Sequence, residues 1–493
     1  MRQIVSAFDN EWTPALLDEV YAGIEDIAVG EWNYDIYKNQ IEIISSEGML
    51  EAYATVGLPV MYHHWSFGKR YLSQSRMYKA GLMGLAYEIV INSDPCIAYL
   101  MEANTLTMQT LVMAHACMGH NHFFKNNYMF KQWTDPDAII DYLAYAKRYI
   151  TRQEEIHGFD QVEIILDAAH TLSHYSVDKY NKRERTKVQL EADLKARLAW
   201  EDSQYDPLVS PFRDRKKIIT DDDDKIEETE NLLYFIEKQA PNLEDWQREI
   251  IRIVRKLGQY FYPQRQTQVM NEGFACASHY EIINELWDRG LLDERFMLEF
   301  IQSHSGVMGQ RPIGLGDLKE INVYTLGFRM FRDIRRRCTN PTKEDELLFP
   351  EQVGRPFRDV YFEAVRGYKD ESFVLQYLSP QTVRDMRLMS LLDDDRNPTY
   401  EVSGIADESS FEHVRMQLSH HYDLGLAQPH ISIFDVDWKG NRTLKIRHDV
   451  HRRRPLDEAE TRKILRQVYK LWQYPISIES VYEDGSRKTL THP

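Results

Sequence analysis

The sequence predicts an α+β protein: a mainly helical body with a short β element inside it, followed by a C-terminal unit in which strands and helices alternate. Three observations predict this. Apolar residues recur at helical spacing through most of the chain up to about residue 390. β-Branched, alternating residues concentrate in 87–100 and again after residue 400. The polar run Asp393-Asp394-Asp395-Arg396-Asn397-Pro398 separates the two regimes. The expected division is therefore 1–175 (N-terminal helical and β part of the body), 176–230 (charged connector), 231–392 (helical part of the body) and 399–493 (C-terminal α+β domain).

Taken in order, WTPALLDEVYAGIEDIAVG (12–30) reads as an amphipathic helix, because Leu16, Leu17, Val20, Ile24 and Ile27 fall on one face. Residues 62–76 are aromatic and basic and read as a loop leading into a helix. YEIVINSDPCIAYL (87–100) reads as two strands around an Asn-Ser-Asp-Pro turn. A long apolar helix starts near Thr105, and two more cover 136–157 and 160–174. The connector ends in TDDDDKIEETE, a solvated acidic run. Helical patterns resume at 231–290 and 343–390. The C-terminal order is strand 400–406, helix 407–422 with Asp407 as N-cap, strands 430–438 and 442–450 around a Gly440-Asn441 turn, helix 457–472, and strand 475–483. That order, βαββαβ, is the ferredoxin-like pattern.

Composition narrows the function. A chain of 493 residues exceeds one ordinary domain. A net charge of −17 argues against a nucleic-acid partner. Four cysteines without C-x-x-C spacing make neither a disulfide framework nor a zinc finger. No stretch approaches the ~18 apolar residues of a membrane span. The opening MRQIVSAFDNEWTP carries no apolar secretory core, so the expected location is cytoplasmic. Gly-x-Ser-x-Gly is absent, and Gly314-Leu315-Gly316 lacks the Gly-Lys-Ser/Thr of a phosphate loop.

Three groups of residues carry the chemistry. His115, His120 and His122 lie in or at the end of the apolar helix, where an imidazole needs a hydrogen-bond partner or a metal. On an ideal α-helix His115 and His120 stand about 140° apart, and a bulge near Gly119 is what would bring His120 round. Asp167, His170 and His174 recur at one-turn spacing, and Glu154, Glu155 and His157 lie just upstream. Glu272, Cys276 and His279 share one face of another apolar helix. A cost argument joins the first and third groups. Two buried imidazoles and a buried carboxylate are most cheaply satisfied together, around a divalent ion held by His115, His120 and Glu272. Zinc is the first expectation for such a ligand set, then iron or manganese. Catalytic acid/base work would then fall to Glu154, His170 or His279, the alternative being a structural site. Arg329, Arg332, Arg335, Arg336 and Arg337 form a basic helix stretch that reads first as a solvated face and second as a surface for an anionic ligand or for the acidic connector.

The stretch Asn271-Glu272-Gly273-Phe274-Ala275 is similar to the helix that supplies the glutamate ligand in gluzincin metallopeptidases. Strands followed by the His115 helix echo the element order of a zincin-like core in degenerate form. The departures are plain: the histidines are i,i+5 instead of i,i+4, and Ala116 stands where His-Glu-x-x-His places its general base.

HHWSFGK (63–69), GLAYEIVINSDPCIAYLMEANT (84–105), HACMGHNHFFKNNYMFKQW (115–133), LDAAHTL (166–172), MNEGFACASHY (270–280) and INVYTLGFRMFRDI (321–334) resemble, in order, the SpoVR family. The resemblance runs through nearly all of residues 10–480. It implies a role in spore cortex formation or, in bacteria that do not sporulate, in stationary-phase and stress physiology. It also implies association with a PrkA-type serine kinase and a von Willebrand-type protein. It carries no assigned chemistry. Two functions follow as expectations: a metal-dependent hydrolase with an unusual zincin-like site, or a non-catalytic regulatory or scaffold protein working with the kinase.

Overall fold

A computed structural model describes residues 12–55, 58, 61–79, 88–179, 228–310, 321–388, 390–392, 401–403, 408–450 and 455–493. The architecture is α+β and predominantly helical. Most of the expected connector, the expected cap Asp407 and the polar run 393–398 lie outside the described residues. Two compact units emerge, each built from two stretches of chain: Met1–Phe159 with Gln259–Ala427, and Asp160–Gly258 with Gln428–Pro493. Among the described residues, no helix is long and apolar enough to cross a membrane.

In the first unit a three-stranded sheet of order β1-β3-β2 flanks the helices; β1 is Asn39–Ile44, β2 Glu88–Ile91 and β3 Cys96–Met101. β1 runs parallel to β3 and β2 antiparallel, with Glu88 opposite Leu100. Helix Trp65–Lys79 takes up most of the segment read as a loop leading into a helix. The core gathers on three helical runs: Leu106 to Asn126, Gln268–Asp288 and Val323–Thr339. They approach closely because small residues meet at the crossings. A Cβ on Gly119 would fall 2.5 Å from Ala275 Cα. A Cβ on Gly273 would strike the backbone of Gly327, and one on Gly327 the carbonyl of Val269.

The second unit holds a four-stranded sheet of order β6-β7-β8-β9, where β6 is His430–Val436, β7 Leu444–Asp449, β8 Ile476–Val481 and β9 Arg487–His492. β6 and β7 form a hairpin whose turn is held by Asp437, its carboxylate accepting from the Gly440 N–H at 3.0 Å. Helix Glu458–Trp472 links β7 to the parallel β8, and Asp457 caps it by accepting from Glu460 N at 2.8 Å. The buried indole of Trp472 donates to Arg442 O at 2.9 Å.

The ferredoxin-like expectation is corrected here. The short strand β5 (Glu401–Ser403) pairs with β4 (Ser390–Leu392) instead of entering the C-terminal sheet. Helix Glu408–Tyr422 belongs to the first unit, where Phe411 and Leu418 join the core. The fourth strand of the sheet is β9, whose polar RKTLTH sequence lies mostly exposed and carries no apolar alternation to read. The order is ββαββ.

Candidate metal centre

Thr105 opens the histidine helix by accepting from Met108 N at 3.2 Å, and residues Leu106–Val112 are α-helical and entirely buried. From Met113 to His120 the helix widens to a π-helical period, then continues as α through Asn121–Asn126. The widening decides the site. i→i+5 hydrogen bonding widens the turn, so residues five apart fall nearer to one side than in an α-helix and the pair converges. The rings of His115 and His120 lie edge to face, with centroids 4.5 Å apart. The third histidine of the motif turns away. His122 Nδ1 accepts from the Asp35 N–H at 3.0 Å, and its ring packs among Tyr34, Phe274 and Phe362.

Glu272 stands on the first turns of helix Gln268–Asp288. Asp370 pins the start of that helix, its two oxygens accepting from Val269 N and Met270 N at 2.9 Å each. Burial pushes the Asp370 carboxyl up to about 7 despite those donors. Glu272 Oε2 lies 3.7 Å from His115 Nε2 and 3.6 Å from His120 Nε2. Glu88, at the start of β2, puts Oε1 3.7 Å from the same His115 nitrogen. These separations are too long for hydrogen bonds. They match ligand atoms that each sit ~2.1 Å from one ion, which in a tetrahedral arrangement stand roughly 3.4 Å apart. The side chains of Glu272 and Glu88 keep 18% and 20% exposure, so the cluster is reachable from outside.

A second layer orients the imidazoles. His120 Nδ1 lies 2.9 Å from Asn271 Oδ1, an oxygen that only accepts, so the proton sits on Nδ1 and Nε2 offers its lone pair. His115 Nδ1 lies 2.9 Å from His279 Nδ1, and His279 Nε2 lies 2.9 Å from His304 Nδ1. If His115 ligates through Nε2, one set of tautomers satisfies this chain: His115 donates to His279, and His279 donates to His304.

The electrostatics divide the groups. Burial pushes His120 and His304 down to about 4 and lowers His279 far below the usual imidazole value, leaving three neutral rings near pH 7. Burial opposes protonation of His115 too, but Cys276, Glu272 and Glu88 around it hold its pKa well above the ordinary value. Burial alone would raise Glu272; His120, His115 and Tyr324 bring it below the usual carboxylate range. Burial raises Glu88, with Glu272 adding to the effect and His115 opposing it. The two carboxylates are thus driven apart, one toward the anion and one toward the acid. On the other side of the His115 ring, ligand atoms of His115, Cys276 and His279 lie within 4.8 Å of one another, all buried.

Of the residues singled out from sequence, His115, His120, Glu272 and His279 come together. Glu154, on helix Ile139–His157, is in the same unit but makes no contact with the cluster among the described interactions; burial raises its carboxyl, with His63 opposing. His170 ends helix Phe159–Thr171 in the second unit, and His174 sits beyond it in a separate 3₁₀ turn. Glu88, Asn271, Tyr324 and His304 join the cluster without having been foreseen. Only Asn271, one residue from Glu272, had a usable signal. Glu88 depends on a strand pairing, and His304 on the docking of the separate helix Glu294–Val307.

Residues 11–427 match the family described as "SpoVR like protein", and residues 429–483 match the "SpoVR-like C-terminal domain". The chain belongs to the SpoVR family. An Escherichia coli (strain K12) relative, "Uncharacterized protein YcgB", is 49% identical over 484 residues, covering 97% of this chain and 94% of the relative. No solved structure matches the chain. All the clustered residues fall within the larger SpoVR match.

Proposed function

We propose that this SpoVR-family chain is a metal-dependent hydrolase whose ion is held by His115 Nε2, His120 Nε2 and Glu272 Oε2. The observation that carries the reading is the π-helical stretch Met113–His120, which sets both imidazoles 3.6–3.7 Å from one carboxylate oxygen. Two histidines and a glutamate make a catalytic ligand set of the zincin-like kind, because structural zinc sites close with four ligands, mostly Cys and His. Zinc leads, then iron or manganese. Such an ion lowers the pKa of a bound water to about 7. Burial favours the acid form of Glu88, and a bound cation would shift it back toward the carboxylate. Glu88 would then take the place of the missing glutamate of His-Glu-x-x-His, accepting a proton from the water that attacks an amide or ester carbon and returning it to the leaving group as the carbon–heteroatom bond breaks. His279 positions His115. The setting implied by the family, cortex formation or stress physiology, makes a peptide-bearing cell-wall precursor the substrate class we propose.

The test is metal content of untagged protein by mass spectrometry after exposure to zinc, iron and manganese. Wild type is expected to retain about one divalent ion per chain. H115A, H120A and E272Q are expected to fall to background with circular dichroism unchanged. C276S is expected to keep its metal, which separates the glutamate side of His115 from the cysteine side. E88Q is expected to keep metal and lose turnover in an amide and ester substrate screen. Wild type without stoichiometric metal under every loading condition overturns the reading.

A further inference from the structure

Between helices Glu294–Val307 and Val323–Thr339 lies a cleft of about 620 Å³ that the proposed chemistry does not use. That size is typical of small-molecule sites. Met308 and Phe328 give it apolar surface, and His304 stands at its edge. Its charged groups fall into two classes. Arg336 is bound to Asp345 at 2.6 and 2.8 Å and to Asp333 at 2.9 Å, and Asp333 also pairs with Arg337 at 3.3 Å. Asp385 accepts from Gln381 at 2.8 Å. Arg329 and Arg332 line the same cleft and form no ion pair with any described carboxylate.

Arg332 feels the charge of Glu281 without closing a salt bridge to it, and in a chain of net charge −17 two guanidinium groups without a closed ion pair one helical turn apart are a cost, since like charges at that spacing repel. Arg332 is also held in place: its guanidinium lies over the Tyr280 ring, 4.7 Å from the centroid. A fixed planar fork beside a second, exposed one suits bidentate recognition of an oxyanion. We propose that this cleft binds a small molecule bearing a phosphate or carboxylate group, with Arg329 and Arg332 as its recognition residues. The cleft is much larger than one such group, so the apolar surface takes the rest of the ligand. The proposal stands apart from the metal reading, although the hydrogen bond from His279 to His304 links the two places.

The experiment is calorimetric titration of the full chain with inorganic phosphate and, separately, with malonate, at ionic strength fixed with chloride. Saturable binding of at least one anion is expected, weakened about tenfold or more in R329Q/R332Q, while R332K falls between because it keeps charge and loses the fork. Binding of phosphate alone assigns a phosphoryl ligand, and of malonate alone a carboxylate ligand. H115A should bind the anion as wild type does, even if it has lost metal. The proposal is overturned if neither anion binds saturably, if the folded double variant binds as wild type does, or if H115A abolishes binding.

Discussion

Two groups in this chain each set histidine against two carboxylates, and they differ in spacing. In the second unit His430 contacts Glu230 at 2.9 Å and Asp449 at 3.1 Å, with its side chain 26% exposed. Those are hydrogen bonds, and they raise the His430 pKa through Glu230 first, with burial opposing. In the first unit His115 and His120 are nearly buried, and their carboxylates stand 3.6–3.7 Å away. A direct ion pair closes to hydrogen-bond distance because that is where its energy is greatest. Glu272 does not close onto either imidazole, as the ion proposed between them would require. Residue type makes both groups look like sites; spacing and burial distinguish the satisfied salt bridge of His430 from the ligand set proposed at His115.

The largest effect should come from the close crossing that holds the proposed metal ligands in register. Gly119→Val puts a side chain into Ala275, and overpacking of this kind costs about 1–3 kcal/mol. Denaturant unfolding should report that loss, and metal content should fall with it; normal stability and full metal would break the link between the crossing and the site. Next comes orientation. Asn271→Leu removes the acceptor for His120 Nδ1 and is expected to weaken metal affinity roughly 10- to 100-fold, read by competition with a chelator. The His430 group, by contrast, should affect only pH-dependent stability, and weakly. Its raised pKa contributes stability that is fully present below about pH 6.5 and is lost as pH rises through the folded value. Burial would raise Glu230, but His430 lowers it, so that contribution is present above about pH 4.3 and is lost as pH falls through its folded value. Melting temperature against pH should show their joint contribution greatest between those limits, on the order of 1 kcal/mol or less, and His430→Gln should flatten it without changing metal content.

Much of the site was legible because burial makes polar groups expensive. Three such groups in two apolar helices, His115, His120 and Glu272, have few economical arrangements, and sequence alone exposes the problem. The solution was less legible. Gly119 hinted at a bulge, but the π-helical stretch spans eight residues, with Gly119 packed closely against Ala275. Gly273 is a point of close approach whose partner is Gly327 and not the histidine helix. Glu88 reaches His115 through the placement of β2 at the sheet edge, which no local pattern encodes. In the second unit, β6, β7, β8 and helix Glu458–Trp472 were readable from alternation, capping and helical period. The error lay in strand 401–403, too short to reveal its partner, and in β9, too polar to look like a strand.

The central claim is that one ion lies among His115, His120 and Glu272, and anomalous diffraction from a crystal of the metal-loaded protein tests it most directly. The account predicts a single strong peak, ~2.0–2.2 Å from His115 Nε2, His120 Nε2 and Glu272 Oε2 alike. Absence of a peak there, with Glu272 closed onto one imidazole at the ~2.7–2.9 Å of a charge-assisted hydrogen bond as in the His430 group, would contradict it.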